Sequence, residues 1–225
     1  MIFKAEKLDP DDYLTATEYI DSDHPQVRVF AERAAKGVQT PVDMARYLYD
    51  AVRDDIRYTP YFNAADRESY RASSCLAAGR GYCVAKAALL SASARHLGIP
   101  ARIGLADVRN HLTSARLRQL MNTDIFYYHG FAELYLGDHW VRATPIFDAR
   151  LCQRLNVSLL KFDGCHDALF HSYDNSGQRY MEYLVYHGSW RDVPVDMLMA
   201  EMRRLYPRVI GETPVDADFA AEARI

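Results

Sequence analysis

An α+β fold, with helices leading and antiparallel strands following, is what this chain of 225 residues predicts. Three observations carry that expectation. Apolar residues recur at helical spacing through the first third. A glycine-bounded apolar helix runs through residues 83–97. Residues 126–148 then alternate as strands do, around Gly137-Asp138.

Each element has a local cause. Asp23-His24-Pro25 reads as a cap with an early proline, leading into Val27, Phe30, Ala31 and Ala34. Thr40-Pro41-Val42-Asp43 is a second helix start, with Thr as N-cap, Pro at the first position and an acid in the first turn. Val42, Ala45, Leu48, Tyr49 and Val52 then form one stripe. Ile56-Arg57-Tyr58 leaves toward a polar, tyrosine-rich loop, and a short helix is expected over residues 74–78. The helix opened by Cys83 turns Val84, Ala87, Leu90, Ala94 and Leu97 inward; Gly98 suits a left-handed cap, and Pro100 bars continuation. Residues 102–108 read as a strand, and 109–123 as a long loop or short helix.

Gly137-Asp138 suits a two-residue turn, so paired positions should sum to 275. Glu133 then faces Arg142, and His129 faces Ile146. Tyr128, Ala132, Leu134 and Leu136 should make the core face; His129, Phe131, Glu133 and Tyr135 the other, shared by positions 144, 146 and 148. After 150 the pattern weakens: Phe162-Asp163-Gly164 and Asn175-Ser176-Gly177 are turn signals, and a last helix is expected over residues 194–206. The expected organisation is one domain over 1–210, with a core at about 40–150, an extension at 150–210, and a mobile tail at 211–225.

Hydrophobic residues at 49% and charged ones at 25% fit a soluble protein with a full core. A net charge of −3 gives no support to nucleic-acid binding. No stretch approaches the roughly 18 apolar residues of a membrane span, and the start of the chain lacks the apolar core of a signal peptide, so a cytoplasmic protein off the membrane is expected. Four cysteines without a CxxC pair suit a reducing compartment. Cys165-His166-Asp167 with His171 matches no metal-ligand spacing, and Gly79-x-Gly81 lacks the third glycine of a phosphate loop; neither metal nor cofactor is expected. Sixteen tyrosines are many for this length; they suit packing in a mixed fold, or a groove.

The chemistry points to Cys83 and His129. A helix start offers free N–H groups and the positive end of the macrodipole, which favour thiolate and could hold an oxyanion. His129, in Tyr128-His129-Gly130-Phe131, supplies a base from a strand. Tyr82 is a candidate substrate-groove residue, with packing as its other reading. His111, in the loop after the 102–108 strand, could approach the cleft. Lys86 is expected as a solvated lysine on the helix surface.

The run G-x-G-Y-C-V-A-K-A-A-L-L-S-A-S-A-R-H-L-G-I-P-A-R over residues 79–102 resembles the nucleophile helix of the transglutaminase-like superfamily. H-G-F-A-E-L-Y-L-G-D-H-W-V over 129–141 resembles its histidine strand. The resemblance implies a papain-like fold, with a nucleophile helix packed on an antiparallel sheet. It also implies acyl transfer from an amide through a thioester, by Cys83 and His129. Where that family has W-V-x-x-D-P, this chain reads Trp140-Val141-Arg142-Ala143-Thr144-Pro145, so Thr144 takes the aspartate's place and Asp148 follows four residues on. A carboxylate would orient the imidazole and stabilise its charged form; Asp148 and Thr144 both remain open for that role. The expected substrate is a peptide or protein amide, or a small amide, with hydrolysis favoured over transfer to an amine. Two other readings compete: a catalytically silent peptide-binding module of the same fold, and a redox pair of Cys83 with Cys75. The oligomeric state is left open by the sequence.

Overall fold

A computed structural model describes residues 9–207 and 219–222. It is an α+β structure in which a buried helix lies against a four-stranded antiparallel sheet. The helical part comes first: α1 (Pro25–Ala34), α2 (Pro41–Asp55), β1 (Arg57–Tyr58), α3 (Ala72–Ala78), β2 (Arg80–Gly81) and α4 (Cys83–His96). β1 and β2 pair in parallel as a two-residue clasp immediately before α4. The sheet part follows: β3 (Ala101–Asn110), α5 (Ala115–Met121), β4 (Ile125–Leu136), β5 (His139–Ala143), α6 (Ala149–Arg154), β6 (Met181–Trp190) and α7 (Val195–Leu205). Its strand order is β5-β4-β3-β6.

The helix starts form as their residues require. Thr40 Oγ1 accepts from the Asp43 N–H at 3.1 Å, and Pro41 takes the first position of α2. Gly98, at φ +77°, supplies the left-handed residue after α4. α2 shows the solvent a polar face. α4 does not: every residue from Cys83 to Arg95 is buried, so it is the central helix. Of the polar side chains it carries inward, Ser91 donates to the Arg102 carbonyl while the Ser93 hydroxyl has no partner. Arg95 donates to the carbonyls of Ala101, Thr15 and Arg191, tying three segments to the core.

Lys86 departs from expectation. It is fully buried rather than solvated, and its ammonium donates to the carbonyls of Arg53, Ile56 and Ile146. Burial pulls its pKa down to about 7. It is held where the C-terminal end of α2, with its free carbonyls, meets the first turn of α4.

The β4–β5 hairpin turns at Gly137 and Asp138, both at positive φ, and pairs Leu136 with His139 and Glu133 with Arg142 as expected. The return strand is shorter than expected. Pairing ends at Ala132 with Ala143; the Thr144 N–H then donates to the Ala168 carbonyl, and His129 pairs with Ala106 of β3 instead of facing Ile146. The face of β4 opposite the core is covered too. Phe131 lies over Gly104, and Glu133 is buried between Arg102 (2.5 Å) and Arg142 (3.4 Å). β6 was not legible as a strand, because its residues do not alternate: the run 183–186 is exposed throughout.

The last helix, α7, falls where expected. The expected mobile tail lies mainly outside the described residues. Within it, Phe219–Glu222 forms one helical turn, with Phe219 against Tyr58 and Tyr61.

Candidate active site

Cys83 is the first residue of α4, and Tyr82 before it caps the helix without a side-chain hydrogen bond. The first-turn N–H groups are therefore free to act on other atoms. The backbone amides of Gly130, Val84 and Cys83 itself bear on the Cys83 sulfur and favour thiolate. Burial outweighs them and pushes the thiol up to about 11, the reverse of the acidic cysteine expected from the helix start alone.

Strand β4 reaches the sulfur because residue 130 is glycine. A Cβ there would stand 2.7 Å from Val84 Cα and 2.8 Å from its Cγ2, so any side chain would prise the strand off the first turn of α4. His129, one residue earlier, is buried and lines the same groove as Cys83. Burial holds its imidazole neutral, with a pKa of about 3.

A bulge shapes this end of β4. Ala106 pairs with His129 and Val108 with Phe126, so Asp107 alone opposes Tyr127 and Tyr128. Tyr128 sits at φ +54°, a left-handed conformation rare for an aromatic residue. Asp107 stabilises it: one carboxylate oxygen accepts from the Tyr128 N–H at 3.0 Å and from His187 Nε2 at 2.7 Å, and the Tyr128 and His187 rings stack at 4.3 Å. A regular strand shows alternate residues to each face. The bulge breaks that alternation, and residues 126–129 all line the groove.

The rest of the groove comes from segments far apart in sequence. Tyr58 ends β1 and Phe62 lies between β1 and α3, Leu117 and Met121 are on α5, Met202 on α7 and Tyr206 just after it. Tyr82 lines it as well, stacked on Phe62 at 3.7 Å with rings nearly parallel. Tyr82 was marked in the sequence by its place before Cys83; for the other members of this wall only the abundance of tyrosine gave a hint.

The other expected residues lie elsewhere. His111 sits at the end of β3, its N–H on the Tyr180 carbonyl and its ring 3.3 Å from Glu182, and it does not line the groove. Asp148 caps α6, its Oδ1 accepting from the Leu151 N–H at 2.9 Å. Thr144 is buried; its carbonyl accepts from the Tyr49 hydroxyl, while its own hydroxyl has no partner. His129 Nδ1 likewise has no hydrogen-bond partner. The ring against His129 is Phe170, edge-on at 4.6 Å. Phe170 also lines a second cavity, where Thr144 Oγ1, His171 Nε2 and the Tyr180 hydroxyl are all buried without partners. All four cysteines are free thiols, so Cys83 and Cys75 are not bridged.

The sequence model of the transglutaminase-like superfamily matches residues 28–145, from α1 to just past β5 and including both Cys83 and His129. The chain belongs to the transglutaminase-like superfamily. No curated protein matches it. A solved structure of a candidate cysteine protease from Cytophaga hutchinsonii shares its fold, at a TM-score of 0.52 and 18% identity over 85% of this chain. That match takes in 51% of the other protein, so the chain spans about half its length. A candidate protease from Parabacteroides distasonis aligns over 60% of this chain and 25% of its own, at 15% identity and a TM-score of 0.39. The matched region ends just past the hairpin; α6, β6 and α7 follow it in the chain, with β6 completing the sheet beside β3. Among the described residues no helix is long and apolar enough to cross a membrane.

Proposed function

We propose that this superfamily member is a thiol-dependent acyl-transfer enzyme that cleaves an amide or peptide bond through a thioester, with water as the final acceptor. The observation that carries the reading is Cys83 at an uncapped helix start, in one groove with His129. Because burial keeps both groups neutral, the pair works by general-base catalysis rather than as a standing ion pair. The His129 nitrogen other than Nδ1 takes the thiol proton as sulfur attacks the carbonyl carbon. The tetrahedral oxyanion is met by the N–H groups of the first turn, which bear on the sulfur at rest. The C–N bond then breaks, the leaving amine takes the proton from His129, and a thioester remains on Cys83. Water, deprotonated by the same imidazole, releases the acid and restores the thiol.

One observation favours the silent binding module. Neither Thr144 nor Asp148 hydrogen-bonds to His129, whose charged form therefore lacks a carboxylate partner. The two readings separate on turnover. Wild type, Cys83→Ala and His129→Ala are incubated with a broad panel of peptide amides, and amine release is followed. Cleavage lost in Cys83→Ala supports the enzyme; binding of the same peptides with no cleavage by wild type supports the silent module.

A further inference from the structure

We infer that the acyl partner of Cys83 presents an apolar side chain to the groove. The inference rests on the acyl-transfer reading and adds its substrate class. Among the described residues no Lys, Arg, Asp or Glu lines the groove; besides Cys83 and His129 its walls are aromatic rings, aliphatic side chains, methionines and a proline. The polar ends of that wall are partly committed already. The Tyr206 hydroxyl accepts from the Tyr127 N–H at 2.6 Å and donates to the Ile125 carbonyl at 2.8 Å, leaving its ring to the groove.

A charged side chain placed here would lose its water and gain no counter-ion, whereas an apolar one gains from leaving water. The stacked rings of Phe62 and Tyr82 and the thioethers of Met121 and Met202 line the same groove, giving an apolar guest both flat faces and adaptable contacts. Part of this wall comes from α5 and α7. Neither supplies the nucleophile, so specificity can change without touching the chemistry. Leu120, on α5 at the rim, is only partly buried and tolerates replacement best.

The test uses three peptidyl acyloxymethyl ketones that differ only in the residue next to the electrophile: Phe, Asp or Lys. Labelling of the full chain is read at each cysteine by mass spectrometry. The expected result is Cys83 labelling by the Phe probe about 100-fold faster than by either charged probe, in line with discrimination by an apolar pocket. In Leu120→Arg the gap between the Phe and Asp probes should shrink by about 10-fold. Equal rates for the three probes, or a faster charged probe, would overturn the substrate class while leaving the enzyme reading intact. If all three label Cys83 no faster than the exposed Cys165, the enzyme reading itself fails.

Discussion

The two sides of His129 differ in how completely they are built. Toward α4, each contact has a cause: Gly130 permits the approach, first-turn N–H groups serve the sulfur, and the Asp107-held bulge turns four consecutive residues of β4 into the groove. Toward the post-hairpin segment, the imidazole meets the edge of Phe170, and its Nδ1 is left unpaired. Three further polar atoms nearby, on Thr144, His171 and Tyr180, are buried without partners around a second cavity. The side of His129 that faces Cys83 is therefore fully built, while the side that faces Phe170 leaves polar atoms without partners. Burial keeps the thiol and the imidazole neutral, and neither Thr144 nor Asp148 hydrogen-bonds to His129 to offset it.

The comparison can be broken at several points. The largest effect is expected from His129→Ala, which should lower amide cleavage by about 10²–10⁴-fold if the imidazole is the base; a loss under 5-fold would remove it from the mechanism. Gly130→Ala comes next. Its Cβ would displace the first turn of α4, costing about 1–3 kcal/mol of stability in urea melts, and activity should fall more steeply than stability predicts. Lys86→Met leaves three buried carbonyls without a donor and should cost about 1–3 kcal/mol at pH 7. It should also change the pH profile. The folded pKa of Lys86, about 7, lies below its usual 10.5, so between those values the unfolded chain binds the extra proton. Lys86 therefore adds stability as pH rises through that window, and the variant should lack the gain. The smallest effect is assigned to Thr144→Val. Its hydroxyl bonds nothing, so cleavage should stay within about 3-fold of wild type and the melting midpoint should hold or rise. A tenfold loss of activity would show instead that Thr144 orients His129.

Much of the helical half and the hairpin was legible because their signals are local. Thr40-Pro41, Gly98 and Gly137-Asp138 set their elements through backbone geometry that acts within a few residues. Cys83 and His129 could be placed in one groove because each lies in a run that resembles a superfamily motif. Illegible features depend on contacts distant in sequence. The Tyr128 bulge requires Asp107 from another strand, and it shifts the facing of every β4 residue before it. The placement of Thr144 and Asp148 beside His129 assumed a ladder that stops at Ala143. Lys86 reads as a surface residue until the end of α2 and the Ile146 loop close over it. The acidity of Cys83 was misjudged for the same reason, since burial is a property of the whole fold and the helix start is not.

The central claim is that Cys83 is a buried, neutral thiol made reactive only when a substrate carbonyl occupies the groove. Cys165 provides an internal control, being an exposed free thiol in the same chain. The direct measurement is the ratio of Cys83 to Cys165 modification at pH 7, with iodoacetamide and then with the Phe acyloxymethyl ketone. The account predicts slower reaction at Cys83 than at Cys165 with iodoacetamide, reversed to at least about 10-fold preference for Cys83 with the ketone and abolished by His129→Ala. A Cys83 that lags Cys165 with both reagents would contradict it.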